Sequence, residues 1–486
     1  MIAAEWLKFR TVRGWVVAVV IALAAVAFLG LTDSQHGSCD VSACTPLLGP
    51  GGEPVTDNFY LVGSAATGNG AVTARVSALT SGVRTPRTGN QRVTVPWAKA
   101  GIILKASLGQ GSAYVAIMVT GTHGVRMQDD FTADIAGPPL KAAWMRLVRS
   151  GSTVTGYASA DGTAWTKVGT VTLPGFPATV RAGMFVTSPQ YTQTSLGVAA
   201  VSGEASQSAA AFDDVSMSWP ATSLTGTDVG GPSTGPAAGP VAGFTRDGGH
   251  YTIAGSGDIA PATDGPSGSG VTLAQTLVGT FLALIILVVI GAMFVTAEYR
   301  RGLIRVTFAA CPNHGRVLAA KACVTGGTAF AAGLAGAAVA VPLGLRVLRD
   351  NGVYLAPVPM LTQIRVIVGT AAVLALCTVL AVAIGLIARR GIAAVTAVIA
   401  LVVLPYLLAV TTPVIPLDVA NWLMRLTPAA AFAVQQTVIQ YSQVDEVYAP
   451  AYGYWPLPAW GGFAVLLAWT AVALVLATIL LNRRDA

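Results

Sequence analysis

Charge is scarce in this sequence, and two short stretches concentrate it. The first, MIAAEWLKFRTVRG, sets Glu5, Lys8, Arg10 and Arg13 among Ile2, Trp6 and Phe9. Read as a helix, it gathers Ile2, Trp6 and Phe9 on one face and leaves Lys8 and Arg10 off it. That pattern suits a helix lying in a membrane interface with its cations in water. The second, TAEYRRGLIRVTFAACPNHGRVLAAKA over residues 296–322, carries Glu298, Arg300, Arg301 and Arg305. Glu298 stands three residues before Arg301, a spacing at which opposite charges meet on one helix. Leu303, Ile304 and Phe308 give this stretch an apolar side, and Pro312 and Gly315 break it. Such residues perform no bond chemistry. They suit a docking surface, where charge fixes register and steers association.

Other chemistries lack their residues. The four histidines, His36, His123, His250 and His314, are scattered, and no HExxH occurs, so no metal site is expected. None of the six lysines follows a glycine, which removes the P-loop and with it ATP binding of that kind. A single Gly-x-Ser-x-Gly, at residues 231–235, sits in a Gly/Pro-rich stretch with no strand-to-helix elbow around it. Ser159-x-Asp161-Gly162-x-x-Trp165 reads as a hairpin turn with a buried tryptophan. Asp129, Asp130, Asp213 and Asp214 could ligate Ca²⁺, although solvated loop acids are the plainer account. The reading is of no enzyme, no metal and no cofactor.

The elements that must position these stretches follow from composition. The chain has 486 residues, of which 53% are hydrophobic and 10% charged, against about 25% charged in soluble domains. Mean hydropathy is +0.64. An ordinary cytosolic enzyme and a disordered chain are both excluded. Six apolar runs are long enough to cross a bilayer: residues 15–31, 273–296, 317–345, 364–388, 392–412 and 459–481. Lys321, near the start of the third, is expected to snorkel to the headgroups, and Pro405 to kink the fifth. Ala332 with Gly336, and Gly333 with Ala337, allow close helix packing within the bundle or across a dimer.

An even number of spans puts both termini on one side. The segments on that side hold twelve cations (Lys8, Arg10, Arg13, Arg300, Arg301, Arg305, Arg316, Lys321, Arg389, Arg390, Arg483 and Arg484) against Glu5, Glu298 and Asp485. The two shorter loops on the other side balance four cations against four acids. The positive-inside rule makes the first side cytoplasmic. The net charge of +7 therefore serves topology, and nucleic acid is not an expected partner. A cleaved signal peptide over residues 1–31 is the weaker alternative, because Glu5, Trp6 and Phe9 are unusual in one.

Residues 32–272 have another texture. β-rich runs such as AVTARVSAL, AGIILKA, SAYVAIMVTG and WTKVGTVTL alternate with turn residues near every tenth position, the pattern of an antiparallel sandwich. This outer domain, with its N-terminal stalk, is expected over 32–219. A Gly/Pro-rich linker is expected at 220–272, with room for one small hairpin from Phe244 to Ile259. Cys39 and Cys44 lie in the stalk, where a disulfide is permitted outside the cytosol. Cys311, Cys323 and Cys377 are expected only to pack.

The stretches AEWLKFRTVRGW and TAEYRRGLIRVTFAACPNHGRVLAAK, together with NWLMRLTPAAAFAVQQT and the ending LLNRRDA, resemble the permease subunits of ATP-binding-cassette exporters of the ABC-2 type. The likeness covers both membrane portions, about half the chain. It implies a six-span half-transporter in the cell membrane, paired as a homodimer or heterodimer, with ATP hydrolysis on a separate ATPase subunit. It also assigns Glu5, Trp6, Lys8, Phe9 and Arg10 to a cytoplasmic elbow helix over 1–14. Glu298, Tyr299, Arg300, Arg301, Gly302 and Arg305 fall to an ATPase-coupling segment over 297–316. The large insert departs from the family's plain form. Through PWAKAGIILKAS, WMRLVRSGSTVTGYASADGTAWTKVGTV and AAFDDVSM it resembles a concanavalin-like or laminin-G-like jelly roll, for which a glycan ligand would be the expectation. A rival reading makes the chain a membrane-anchored recognition protein, whose sandwich binds a glycan or peptide while the helices only anchor it. Six spans and a structured elbow exceed what anchoring needs.

Overall fold

The computed structural model describes residues 1–36, 46–85, 89–194, 201–220, 223–231, 242–262, 273–311, 313–355, 357–410, 415–444, 448–450 and 453–484. Cys39 and Cys44, and with them the expected disulfide, lie outside these residues, as does most of the Gly-x-Ser-x-Gly stretch.

The helices are α1 (Ile2–Thr11), α2 (Arg13–His36), α3 (Gly279–Arg300), α4 (Leu303–Ala310), α5 (His314–Asp350), α6 (Met360–Ala388), α7 (Gly391–Val398), α8 (Leu404–Val410), α9 (Leu417–Leu426) and α10 (Ala459–Arg484). Among the described residues, six segments are long and apolar enough to cross a membrane: α2, α3, α5, α6, α10 and the stretch Gly391–Val410. At about 1.5 Å per residue, the 37-residue α5 runs about 55 Å, well beyond a hydrocarbon core of about 30 Å. Its surplus length carries charge at both ends. The fifth candidate span is α7 and α8 joined through a π-helical turn, Ile399–Val403. That turn lies just before Pro405, whose ring cannot sit in an ordinary helical hydrogen-bond ladder.

The small residues of α5 are used within the chain. A Cβ on Gly333 would lie 2.8 Å from Leu374 of α6, and one on Gly336 would lie 2.8 Å from Val26 of α2. Two neighbouring helices thus press close against adjoining positions of the same stretch, one turn apart. Between α9 and α10, Pro428–Gln435 forms a fully buried 3₁₀ segment. Gln435 Nε2 donates to Thr370 Oγ1 of α6 at 3.1 Å, tying the segment to that helix.

The inserted region folds as two antiparallel sheets around a shared core. One runs, in spatial order, Thr225–Val229, Phe59–Thr67, Thr179–Thr187, Lys99–Lys105, Tyr114–Thr120, Val125–Asp129 and Ala133–Ala136. The other runs Thr166–Thr172, Thr153–Ser159, Ala143–Ser150, Gly70–Thr85, Ser206–Met217, His250–Gly255 and Gly243–Asp247, with Gly89–Arg92 paired to Gly70–Thr85. Alternate residues of Ala143–Ser150 are buried, the period of two that a half-covered strand requires. Val62, Ile102 and Ile117 of the first sheet meet Val72, Leu147 and Phe212 of the second.

Strands Lys99–Lys105 and Tyr114–Thr120 are buried at every residue, so the first sheet is covered on its outer face too. Val55–Asp57 and Ile259–Pro261 pair with each other there, and Phe59, Ile103, Tyr114, Phe131, Phe185 and Ile259 form a second core. The β region therefore extends past the expected boundary at Trp219. Four strands drawn from 225–261 complete both sheets and the small outer ladder.

Loops from the helical bundle reach this domain. Gln443, buried between α9 and α10, donates through Nε2 to the carbonyls of Phe131 at 3.1 Å and Thr132 at 3.0 Å. Tyr354, after α5, donates its hydroxyl to Gly52 O at 3.2 Å.

Candidate functional site

The two charged stretches singled out in the sequence meet at the end of the bundle farthest from the β domain. α1 presents Glu5 and Phe9, one helical turn apart, to the bundle. Both are buried, while Ile2, Trp6 and Leu7 stay exposed. The face turned to the bundle is thus Glu5/Phe9, and Trp6 stacks on Phe9 at 6.2 Å between ring centroids. Phe9 in turn meets Phe294 of α3 edge-on at 5.7 Å.

Around this aromatic contact, four charges from three helices close a ring. Lys321 Nζ, from α5, lies 2.8 Å from Glu5 Oε2 and 2.9 Å from Glu298 Oε1 of α3. Lys8 Nζ closes the other half, 2.8 Å from Glu5 Oε1 and 3.1 Å from Glu298 Oε1. Acid and base alternate, and each group has two opposite neighbours. The Lys321 side chain is 1% exposed and Lys8 is 42% exposed, so one corner opens to solvent. Burial pushes the Glu5 carboxyl up, but Lys321 and Lys8 together hold it below its ordinary value. Burial likewise works against charge on Lys8, and Glu5 and Glu298 outweigh it, leaving the lysine above its usual value. Removing one partner from a buried pair strands a charge, at a cost of about 3–5 kcal/mol.

The ring corrects two expectations. Lys321 does not snorkel outward, and Glu298 does not pair with Arg301. Helix α3 ends at Arg300, which places Arg301 in the cap turn, where its side chain is exposed. Gly302 adopts φ +67, a left-handed conformation that glycine takes without strain. The chain turns there into α4 and does not run on as one helix to Pro312. Ile304 of α4 is buried, whereas Leu303 and Val306 are exposed. The side chain of Arg305 lies outside the described residues. The ring of Tyr299 sits 5.2 Å beneath the Arg389 guanidinium.

The charge that remains exposed at this end, among the described residues, is cationic. Arg10, Arg13, Arg300, Arg301, Arg316, Arg390 and Arg483 all face outward. The two acids described here, Glu5 and Glu298, are both turned into the ring. Sequence reasoning found both stretches but missed Lys321 as their link.

In the β domain the expected features fall apart spatially. Among the described residues no group of three or more His, Cys, Asp or Glu could hold a metal ion. Asp213 pairs with His250 on the second sheet, while Asp130 Oδ1 accepts from Tyr114 N at 3.1 Å on the first. Asp161 fixes its hairpin tip by accepting from Thr163 N at 2.8 Å and Ala164 N at 2.9 Å. These backbone hydrogen bonds hold its carboxyl well below the usual range. Trp165 is half-buried, not buried as expected, and lies 4.2 Å beneath the Arg146 guanidinium. Lys105 and Asp57 pair at 2.7 Å with both side chains fully buried, and Lys99 Nζ reaches Asp258 Oδ1 at 2.8 Å. These pairs pin the outer ladder over the sheet.

No family model matches the chain, and no curated protein matches it. Among solved structures, SCP-B, a member of the eqolisin family of peptidases in complex with the tripeptide Ala-Ile-His, is 8% identical with a TM-score of 0.26, covering 41% of this chain and 98% of that one. Scytalido-glutamic peptidase with a transition-state analogue inhibitor gives 9% identity, a TM-score of 0.27 and the same coverages. A functionally unknown protein from Saccharomyces cerevisiae gives 15%, 0.18, 33% and 74%. Likeness at this level carries no argument about activity.

Proposed function

We propose that this chain is the membrane-spanning permease subunit of an ABC exporter of the ABC-2 type, working with ATPase subunits on separate chains. The observation that carries this reading is the exposed arginine face built by α1, the foot of α3 and the cap turn that follows it. An acidic partner surface would meet it with complementary charge, which fixes register and speeds encounter. Leu303 and Val306 beside the arginines, 49% and 67% exposed, would supply apolar contact. No P-loop exists in these 486 residues, so ATP binding is assigned to the partner. On this reading ATP closes two ATPase subunits against paired permeases, in a homodimer or heterodimer. The difference in contact between closed and open ATPase states would bias the six-helix domains. The arginine face is cytoplasmic in this scheme, both termini lie beside it, and the β domain projects outside the cell membrane.

The test is charge reversal. Arg300→Glu with Arg301→Glu should reduce recovery of the ATPase from membranes by about tenfold, the loss of a contact of about 1.4 kcal/mol. Permease accumulation should stay unchanged, because the remaining arginines keep the positive bias. Normal recruitment and transport by the reversed protein would exclude this face. If the unaltered permease brings down no ATPase, the exporter reading itself falls.

A further inference from the structure

The ring of Glu5, Lys8, Glu298 and Lys321 is more than a neutraliser of stray charge. It draws on α1 twice, on the last turn of α3 and on the second turn of α5, segments separated by up to 316 positions in sequence. Helix α1 has little else to hold it. It is ten residues long, starts without a side-chain cap and buries only Glu5 and Phe9. A helix that short is marginal by itself in water. Glu298 stands two residues before the end of α3, and the Gly302 turn into α4 follows at once. The exposed arginines at positions 10, 300 and 301 therefore all stand within about two turns of a ring member. Apolar contact could dock these helices in several registers, whereas four alternating charges accept one, because any slip brings like charges together.

We propose that Lys321 is a positioning residue: with Glu5, Lys8 and Glu298 it locks α1, the foot of α3 and α5 into one joint, through which a push on the arginine face reaches the long helix α5. The locking stands on the ring alone, and the push rests on the permease reading above. Lys321 Nζ also lies 4.9 Å from the Phe294 ring, so α3 touches the joint through an aromatic face as well as a carboxylate.

The joint is tested on the full chain in lipid nanodiscs by hydrogen exchange at residues 2–11, without any ATPase. Lys321→Met should speed exchange there by about tenfold or more, within the usual span of coupling between sites. If that variant fails to accumulate, the paired change Glu5→Gln with Lys321→Gln leaves no extra buried charge and should loosen α1 in the same way. The decisive variant inverts all four positions: Glu5→Lys, Lys8→Glu, Glu298→Lys and Lys321→Glu. It restores alternation and net charge, so protection should return toward the wild-type level, which mere disruption of packing would not allow. Unchanged exchange in both Lys321→Met and the paired variant, or an inverted protein as loose as they are, would overturn the joint. With partner ATPase present, permease-stimulated hydrolysis should fall about tenfold in Lys321→Met and the paired variant and recover in the inverted one. Full stimulation in a protein whose α1 is loose would overturn the transmission step. If the unaltered permease recruits no ATPase, the permease reading fails and the transmission step with it, while the exchange comparison still decides the lock.

Discussion

Asp129 closes the strand Val125–Asp129 beside Asp130. Burial, reinforced by that neighbouring carboxylate, pushes its carboxyl up from 3.8 to about 6. The native state therefore holds the proton more tightly than the unfolded chain. Between about pH 4 and pH 6 stability falls as pH rises, and above 6 the loss is complete. The full shift would correspond to about 3 kcal/mol, which solvent screening of a half-exposed side chain cuts to about 1 kcal/mol. Asp129→Asn should therefore stabilise the protein by about 1 kcal/mol at pH 7 and by almost nothing at pH 4. Urea denaturation at the two pH values checks this, and an equal gain at both would remove burial of the charge as the cause. At this scale the sequence announced charges but not their partners. Glu298 and Arg301 had the spacing of a helical pair, but the helix ends between them. Lys321 looked like an isolated cation at a membrane edge because one partner, Glu5, lies 316 positions away and the other, Glu298, stands on another helix beyond the Gly302 turn.

At the scale of elements, the six long apolar segments were legible, since length and hydropathy are local quantities. What escaped was where helices break. Residues 296–311 read as one continuing helix, yet Gly302 at φ +67 ends α3 and sets the direction of α4. A side chain with a branched Cβ resists that conformation, at a cost of about 1–2 kcal/mol. Gly302→Val should thus swing α4 out of place while the apolar spans still insert. On the permease reading, ATPase recruitment should drop several-fold in pull-downs at matched membrane levels, with the melting temperature lowered by only a few degrees. Recruitment equal to the unaltered protein would mean that the direction of α4 is irrelevant to docking. The π-helical turn before Pro405 shows the same limit, because the proline foretold a distortion but not its form.

For the whole molecule, alternating strands foretold an antiparallel domain, but its end was placed too early. The stretch after Trp219 is rich in glycine and proline and reads as a linker, because short strands that only complete someone else's sheet carry little pattern of their own. In the fold, Thr225–Val229 covers one edge of Phe59–Thr67 and His250–Gly255 covers an edge of Ser206–Met217. Ile259–Pro261 closes the ladder over the outer face, where Asp258 supplies the charge opposite the fully buried Lys99. A segment cut at 53–219 would lose Val229, Tyr251, Ile253 and Ile259, each worth about 1.5–3 kcal/mol when buried. It would also leave Lys99 without its acid, at about 3–5 kcal/mol. Those losses together match or exceed the stability of an ordinary domain, about 5–15 kcal/mol. Residues 46–262 produced alone should be soluble, β-rich by circular dichroism and cooperative on melting, whereas 53–219 should aggregate or melt without a transition. If the shorter segment melts as sharply and as high as the longer one, the strands after Trp219 are accessories, and the domain does end where its strand pattern fades.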